Sequence, residues 1–193
     1  MRFYSLLLSV FISGSLVSCS SNYTPKPRAY ARIEFPEKKY QALQLGYPYQ
    51  FDFPVYAKVK AGEKNSMNSY WINLDYEPFN ARLYLSYYPI KDREQLNKLM
   101  EDAHTFAFKH TVKATAINEA LIMYPERKLY GIYYTIEGNT ASSVQFYLTD
   151  STKNYLRGAL YFNETPKIDS IRPVLDFIKK DLDVMIKSFR WKN

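Results

Sequence analysis

The chain is 193 residues long with a formal net charge of +7, and it holds one cysteine, two histidines and six glycines against nineteen tyrosines and twelve phenylalanines. A single cysteine excludes a disulfide framework, and so few histidines and glycines leave little for metal, general-base or phosphate-loop chemistry. The aromatic excess points to half-buried strands, and the basic balance to an anionic surface or to a merely solvated one.

In chain order, Arg2 and the apolar run from Phe3 to Ile12 have the make-up of a secretion signal. The run is shorter than the roughly 20 residues of a membrane-spanning helix. Leu16-Val17-Ser18-Cys19 resembles the bacterial lipobox, which implies removal of residues 1–18 and a diacylglyceryl group on the Cys19 sulfur. Residues 19–50 then form a lipidated tether and an extended arm. Pro25, Pro27, Pro36, Pro48 and Pro54 deny the zone from Ser20 to Pro54 a long helix or a central strand. Phe35, Tyr40, Tyr47, Tyr49, Phe51 and Phe53 predict that its second half is docked on the body, because a free linker carries fewer aromatics.

Residues 51–193 read as a single α+β domain. Ile72, Leu74 and Tyr76 share one face, as do Ala81, Leu83, Leu85 and Tyr87, with Glu77-Pro78-Phe79-Asn80 as the turn of a hairpin. Asp92, with Gln95 three residues on, predicts a capped helix start. Leu96, Leu99, Met100, Ala103, Phe106 and Ala107 form the apolar stripe of that helix, which ends near His110. Val112 to Tyr124 reads as a strand stopped by Pro125. Lys128–Glu137, Ser143–Thr149 and Tyr155–Phe162 extend it into an antiparallel meander, with a tight turn at Gly138-Asn139. A last helix opens at Asp169 or Ser170 with Pro173 in its first turn. The expected class is α+β, an antiparallel β-sheet covered by helices, with an extended Pro-rich N-terminal arm. This element order, ending Ile186-Lys187-Ser188-Phe189-Arg190, resembles a PsbP-like α/β/α sandwich.

Catalytic patterns do not emerge. His104 and His110 are six residues apart, which on a helix turns them by about 240° and off a common face; a metal pair needs three or four. No serine sits in a G-x-S-x-G elbow, and neither glycine-rich phosphate motif occurs. Asp75/Glu77 and Glu101/Asp102 read as solvated carboxylates. Lys and Arg are dispersed, and export argues against nucleic acid as a partner.

Pro25 to Tyr40 is a stiff, basic, aromatic stretch that either adds a strand to a partner's sheet edge or lies in a partner's aromatic groove, or else packs on its own domain. Every fixed position of P-K-P-R-x-Y-x-R-I-x-x-P-E-x-x-Y is matched there, and the stretch resembles the gliding motility lipoprotein GldD family of Bacteroidetes. The resemblance implies a non-enzymatic envelope protein needed for gliding alongside the type IX secretion machinery. Pro25, Lys26, Pro27, Arg28, Tyr30, Arg32, Pro36, Glu37 and Tyr40 are then the candidate partner-binding residues, and Cys19 the lipid attachment site. The expected partners are the membrane, through the lipid, and other envelope gliding or secretion proteins. No cofactor, metal, catalytic residue, nucleic acid or small-molecule substrate is expected. Ser21, rather than Asp, follows Cys19 at the second position, and Ser20–Thr24 holds no acid, which predicts an outer-membrane location facing the periplasm.

Three readings stay open on the residues alone. A filled core favours an assembly component. An apolar cavity of several hundred Å³ lined by Tyr and Trp71 favours a periplasmic lipoprotein that binds lipid, glycan or peptide. A cleft of convergent carboxylates with perturbed pKa values favours an envelope hydrolase.

Overall fold

The computed structural model describes residues 33–62, 70–163 and 167–192. The expected signal segment and Cys19 lie outside them. A compact unit begins at Glu34. In chain order its elements are β1 (Tyr40–Ala42), β2 (Tyr49–Gln50), β3 (Asp52–Pro54), β4 (Lys58–Ala61), β5 (Ile72–Tyr76), β6 (Ala81–Pro89), α1 (Arg93–Phe108), β7 (Ala114–Tyr124), β8 (Leu129–Gly138), β9 (Ser142–Thr149), β10 (Asn154–Phe162), α2 (Ile168–Ser188) and β11 (Arg190–Trp191).

The main sheet is antiparallel in the order β4-β5-β6-β10-β9-β8-β7. The expected hairpin is β5–β6. Its turn is one 3₁₀ turn, Glu77–Phe79, closed by Asn80 at φ 48°, a conformation asparagine tolerates. The expected meander is β7 to β10. Between hairpin and meander, α1 carries the chain across one face from β6 to the far edge.

Helix α1 starts as its sequence predicts: Asp92 accepts the Gln95 amide at 2.8 Å, and Gln95 Oε1 accepts the Lys91 amide. Its α-helical part stops at Phe108, and Lys109–Val112 form a 3₁₀ turn, so Val112 is not in the strand and β7 begins at Ala114. The second helix begins at Ile168, earlier than expected, which puts Pro173 in the second turn, where its missing N–H is absent from the ladder.

Alternation sorts the strands onto two faces. Leu74, Leu83, Phe146, Leu148, Leu156 and Leu160 turn toward α2, which buries Leu175, Ile178, Leu182 and Met185 among them. Tyr134, Ile136, Tyr147 and Tyr155 turn the other way, against Leu96, Ala103 and Ala107 of α1. The sheet is thus the middle of an α/β/α sandwich. Every residue of β9 is buried, including Ser143, Gln145 and Tyr147 opposite the Val144-Phe146-Leu148 face, because this interior strand, beside the central β10, is covered by a helix on each side.

The docked half of the arm builds two small ribbons. β1 pairs with β3, and β2 pairs with β11, a C-terminal strand that carries no alternation signal of its own. Tyr49, Phe51 and Phe189 stack where these ribbons meet, with ring centroids 6.1 Å apart.

Candidate functional site

Helix α2 has an apolar stripe, and Asp181 sits in the middle of it, three residues after Ile178 and one before Leu182. Such a position buries a carboxylate, here to 1% exposure, and a buried charge needs partners. The arm supplies them. Asp181 Oδ1 accepts from Lys38 Nζ at 2.6 Å and from the Tyr40 hydroxyl at 2.9 Å, and Oδ2 accepts from the Tyr56 hydroxyl at 2.6 Å. Lys38 spends its other two hydrogens on the Phe177 carbonyl at 2.8 Å and the Tyr56 oxygen at 2.9 Å. Its ammonium also lies 3.3 Å from the centre of the Phe177 ring. Phe35 completes the contact, stacked on Phe177 at 4.4 Å.

Local geometry explains why these residues meet. Phe177 and Asp181 are one helical turn apart, so they present a single strip. Lys38 and Tyr40 are alternate residues of extended backbone, so both point at that strip. Glu37 and Lys39 point away and pair with each other at 2.7 Å, well exposed. Burial pushes the Tyr40 hydroxyl up to about 12, with Asp181 adding to it, and pushes Tyr56 higher. Burial lowers Lys38, against the pull of Asp181. The carboxylate accepts from three side-chain donors, and the arrangement works as a clasp between arm and helix.

Of the residues expected to bind partners, Pro25, Lys26, Pro27, Arg28, Tyr30 and Arg32 lie outside the described residues. Pro36 is half-buried, Glu37 is exposed, and Tyr40 is turned inward onto Asp181. Phe35, Lys38, Tyr56 and Asp181 were absent from the expected set. The signal that points to Asp181 is a carboxylate on an otherwise apolar helix face.

Trp71 does not line a cavity in the core. Its Nε1 donates to the Tyr87 carbonyl at 2.8 Å, and it borders an open groove of about 510 Å³ with Asn73, Arg82, Tyr84 and Ser86. Of the two histidines, His104 stacks on Phe108 at 4.2 Å and His110 meets Gln145 at 3.0 Å. Among the described residues no cluster of three or more His, Cys, Asp or Glu could hold a metal ion, and no helix is long and apolar enough to cross a membrane.

Fold and clasp define a class: a three-layer α/β/α sandwich whose incoming arm is fastened to its C-terminal helix. The sequence profile described as "Gliding motility lipoprotein GldD" matches residues 20–191, and the chain belongs to that family. It is therefore a gliding motility lipoprotein, associated with the cell envelope. No curated protein matches the chain. Among solved structures it is similar to the solution structure of cyanobacterial PsbP (CyanoP) from Synechocystis sp. PCC 6803, with a TM-score of 0.44 and 11% identity over 84% of this chain and 98% of that one.

Proposed function

We propose that this protein is a non-catalytic assembly component of the gliding apparatus, acting beside the type IX secretion machinery. It is held in the outer membrane by acyl chains such as palmitate on Cys19 and faces the periplasm. The observation that carries the reading is the clasp. The membrane-proximal arm is built into the folded body through Lys38, Tyr40 and Asp181, and the 15 residues 19–33 that join it to the lipid reach at most about 50 Å. The body is thereby confined to a shell next to the bilayer, where contact with envelope partners is its work. The core, filled with aromatics between two helices, supports contact over turnover.

The test uses a Cys19-anchored, tagged chain crosslinked in native envelope. Deleting residues 25–32 while keeping Cys19 removes co-purifying envelope partners; unchanged co-purification sinks the reading. Mass spectrometry of the mature N-terminus shows a triacylated or diacylated Cys19, and an unmodified cysteine removes the anchor from the account.

A second reading, a ligand-binding lipoprotein, draws on the groove at Trp71, where Tyr84 and polar Asn73, Ser86 and Arg82 are at hand for a glycan. Saturable glycan binding lost in Tyr84→Ala would support it over the first.

A further inference from the structure

Three segments converge beside the C-terminal end of α2: the β7–β8 turn, the β9–β10 turn and the chain end at β11. They frame a cleft of about 930 Å³ lined by Arg127, Lys128, Lys153, Arg190 and Lys192, with only Glu126 and Asp150 of opposite sign. We propose that this cleft binds a phosphoryl group.

Among the described residues only Arg127 of the cleft is paired with a carboxylate, Glu126 at 3.2 Å, and the other four cations are not. Asp150 is consumed by its own turn: its carboxylate accepts the amides of Thr152, Lys153 and Asn154 and the side-chain amide of Asn154. Arg127 and Arg190 both donate to the Lys187 carbonyl near the C-terminus of α2, where positive charge is favoured. Arg127 is further held 3.9 Å over the Tyr124 ring and beside Glu126. Arg190 uses Nη1 alone, for Lys187 and for the Phe189 carbonyl at 2.8 Å, and has no carboxylate partner among the described residues. Its Nε and Nη2 edge, the fork that meets two oxygens of one anion, is left for a ligand.

Lys128 and Lys153 likewise have no carboxylate partner among the described residues. Both framing turns hold a non-glycine residue in the left-handed region, Lys128 at φ 50° and Ser151 at φ 66°. A side chain there costs free energy, and such strain persists where surroundings hold it. Guanidiniums pinned by backbone carbonyls, flanked by unpaired ammoniums, suit a compact anion of high charge and several acceptor oxygens. A phosphoryl group has both. It could belong to a lipid headgroup or to a small phosphorylated solute. This inference is independent of the assembly role proposed above.

The experiment uses the mature chain with Cys19→Ala, so that acylation does not itself bind vesicles. One arm titrates inorganic pyrophosphate. The other measures co-sedimentation with phosphatidylcholine vesicles, plain or containing phosphatidic acid. Lys128→Gln with Lys153→Gln weakens binding about twenty-five-fold, at about fivefold per lysine. The charge-matched pair Lys98→Gln with Lys113→Gln, on exposed lysines away from the cleft, leaves it within about twofold. Both pairs melt with the parent. Binding of both probes supports the site as drawn; vesicles alone identify a headgroup, and pyrophosphate alone a soluble ligand. Binding of neither, equal loss in both double variants, or citrate competing as well as pyrophosphate overturns the proposal.

Discussion

Asp181 and His110 show how single polar groups are fixed by what surrounds them. Asp181→Ala removes the acceptor for three donors and opens a gap on α2, and we expect it to cost about 3 kcal/mol or more in urea unfolding. Asp181→Asn keeps the shape and should cost less. A loss under about 1 kcal/mol for the alanine variant would mean that the arm is not clasped. The His110 tautomer follows by elimination. Arg157 can only donate, and its Nη2 lies 2.6 Å from Gln145 Oε1, so the amide nitrogen of Gln145 faces His110 at 3.0 Å and His110 Nε2 must accept. Burial first, and Arg157 second, push His110 below its ordinary value of 6.5. The folded state therefore favours the neutral ring. Its contribution is complete above 6.5 and is lost as pH falls through and below that value, where the unfolded chain protonates first. Urea midpoints measured across this range should fall toward acid in the parent and fall less in His110→Gln.

At the scale of elements, the two edges of the sheet differ. β4 is four residues long and carries Lys58 and Lys60, which guard it against pairing. β7 runs for eleven residues with a single charge, Glu119, and shows Leu121 69% and Met123 56% exposed. An edge of that kind self-associates, so Leu121→Lys with Met123→Lys should lower concentration-dependent association in sedimentation while leaving the unfolding midpoint nearly unchanged. Association of parent and variant to the same extent would clear the edge. Inside the sheet, Gly158 lies opposite Phe146, and a Cβ there would come 2.1 Å from that ring. Gly158→Ala should therefore destabilise by about 1–3 kcal/mol, read as a lower melting temperature.

For the whole molecule, two helices on opposite faces of one sheet leave the interior apolar and move polar function to the rim. The clasp ties the arm to α2 on one side, and the basic cleft gathers the ends of three other segments around that helix's C-terminus. Five of the chain's 26 lysines and arginines thus line one cleft, against two carboxylates. Raising ionic strength should weaken anion binding in the cleft and leave the clasp intact, because exposed charges are screened far more than buried pairs. Limited proteolysis of the arm, compared at low and high salt, checks the second half of that expectation.

Local chemistry written in consecutive residues was readable without any structure. The Asp92–Gln95 cap, the Glu77–Asn80 turn and the alternation of β5 and β6 are set by spacings of two to four residues. The Pro25–Tyr40 signature named the family for the same reason. What the sequence could not tell was which distant segments share a neighbourhood. Lys38 meets Asp181 across 143 positions, β11 finds β2 from the opposite end of the described chain, and β9 is buried on both faces only because α1 and α2 both land on it. Such meetings are decided by how whole elements pack, and no periodicity along the chain encodes them.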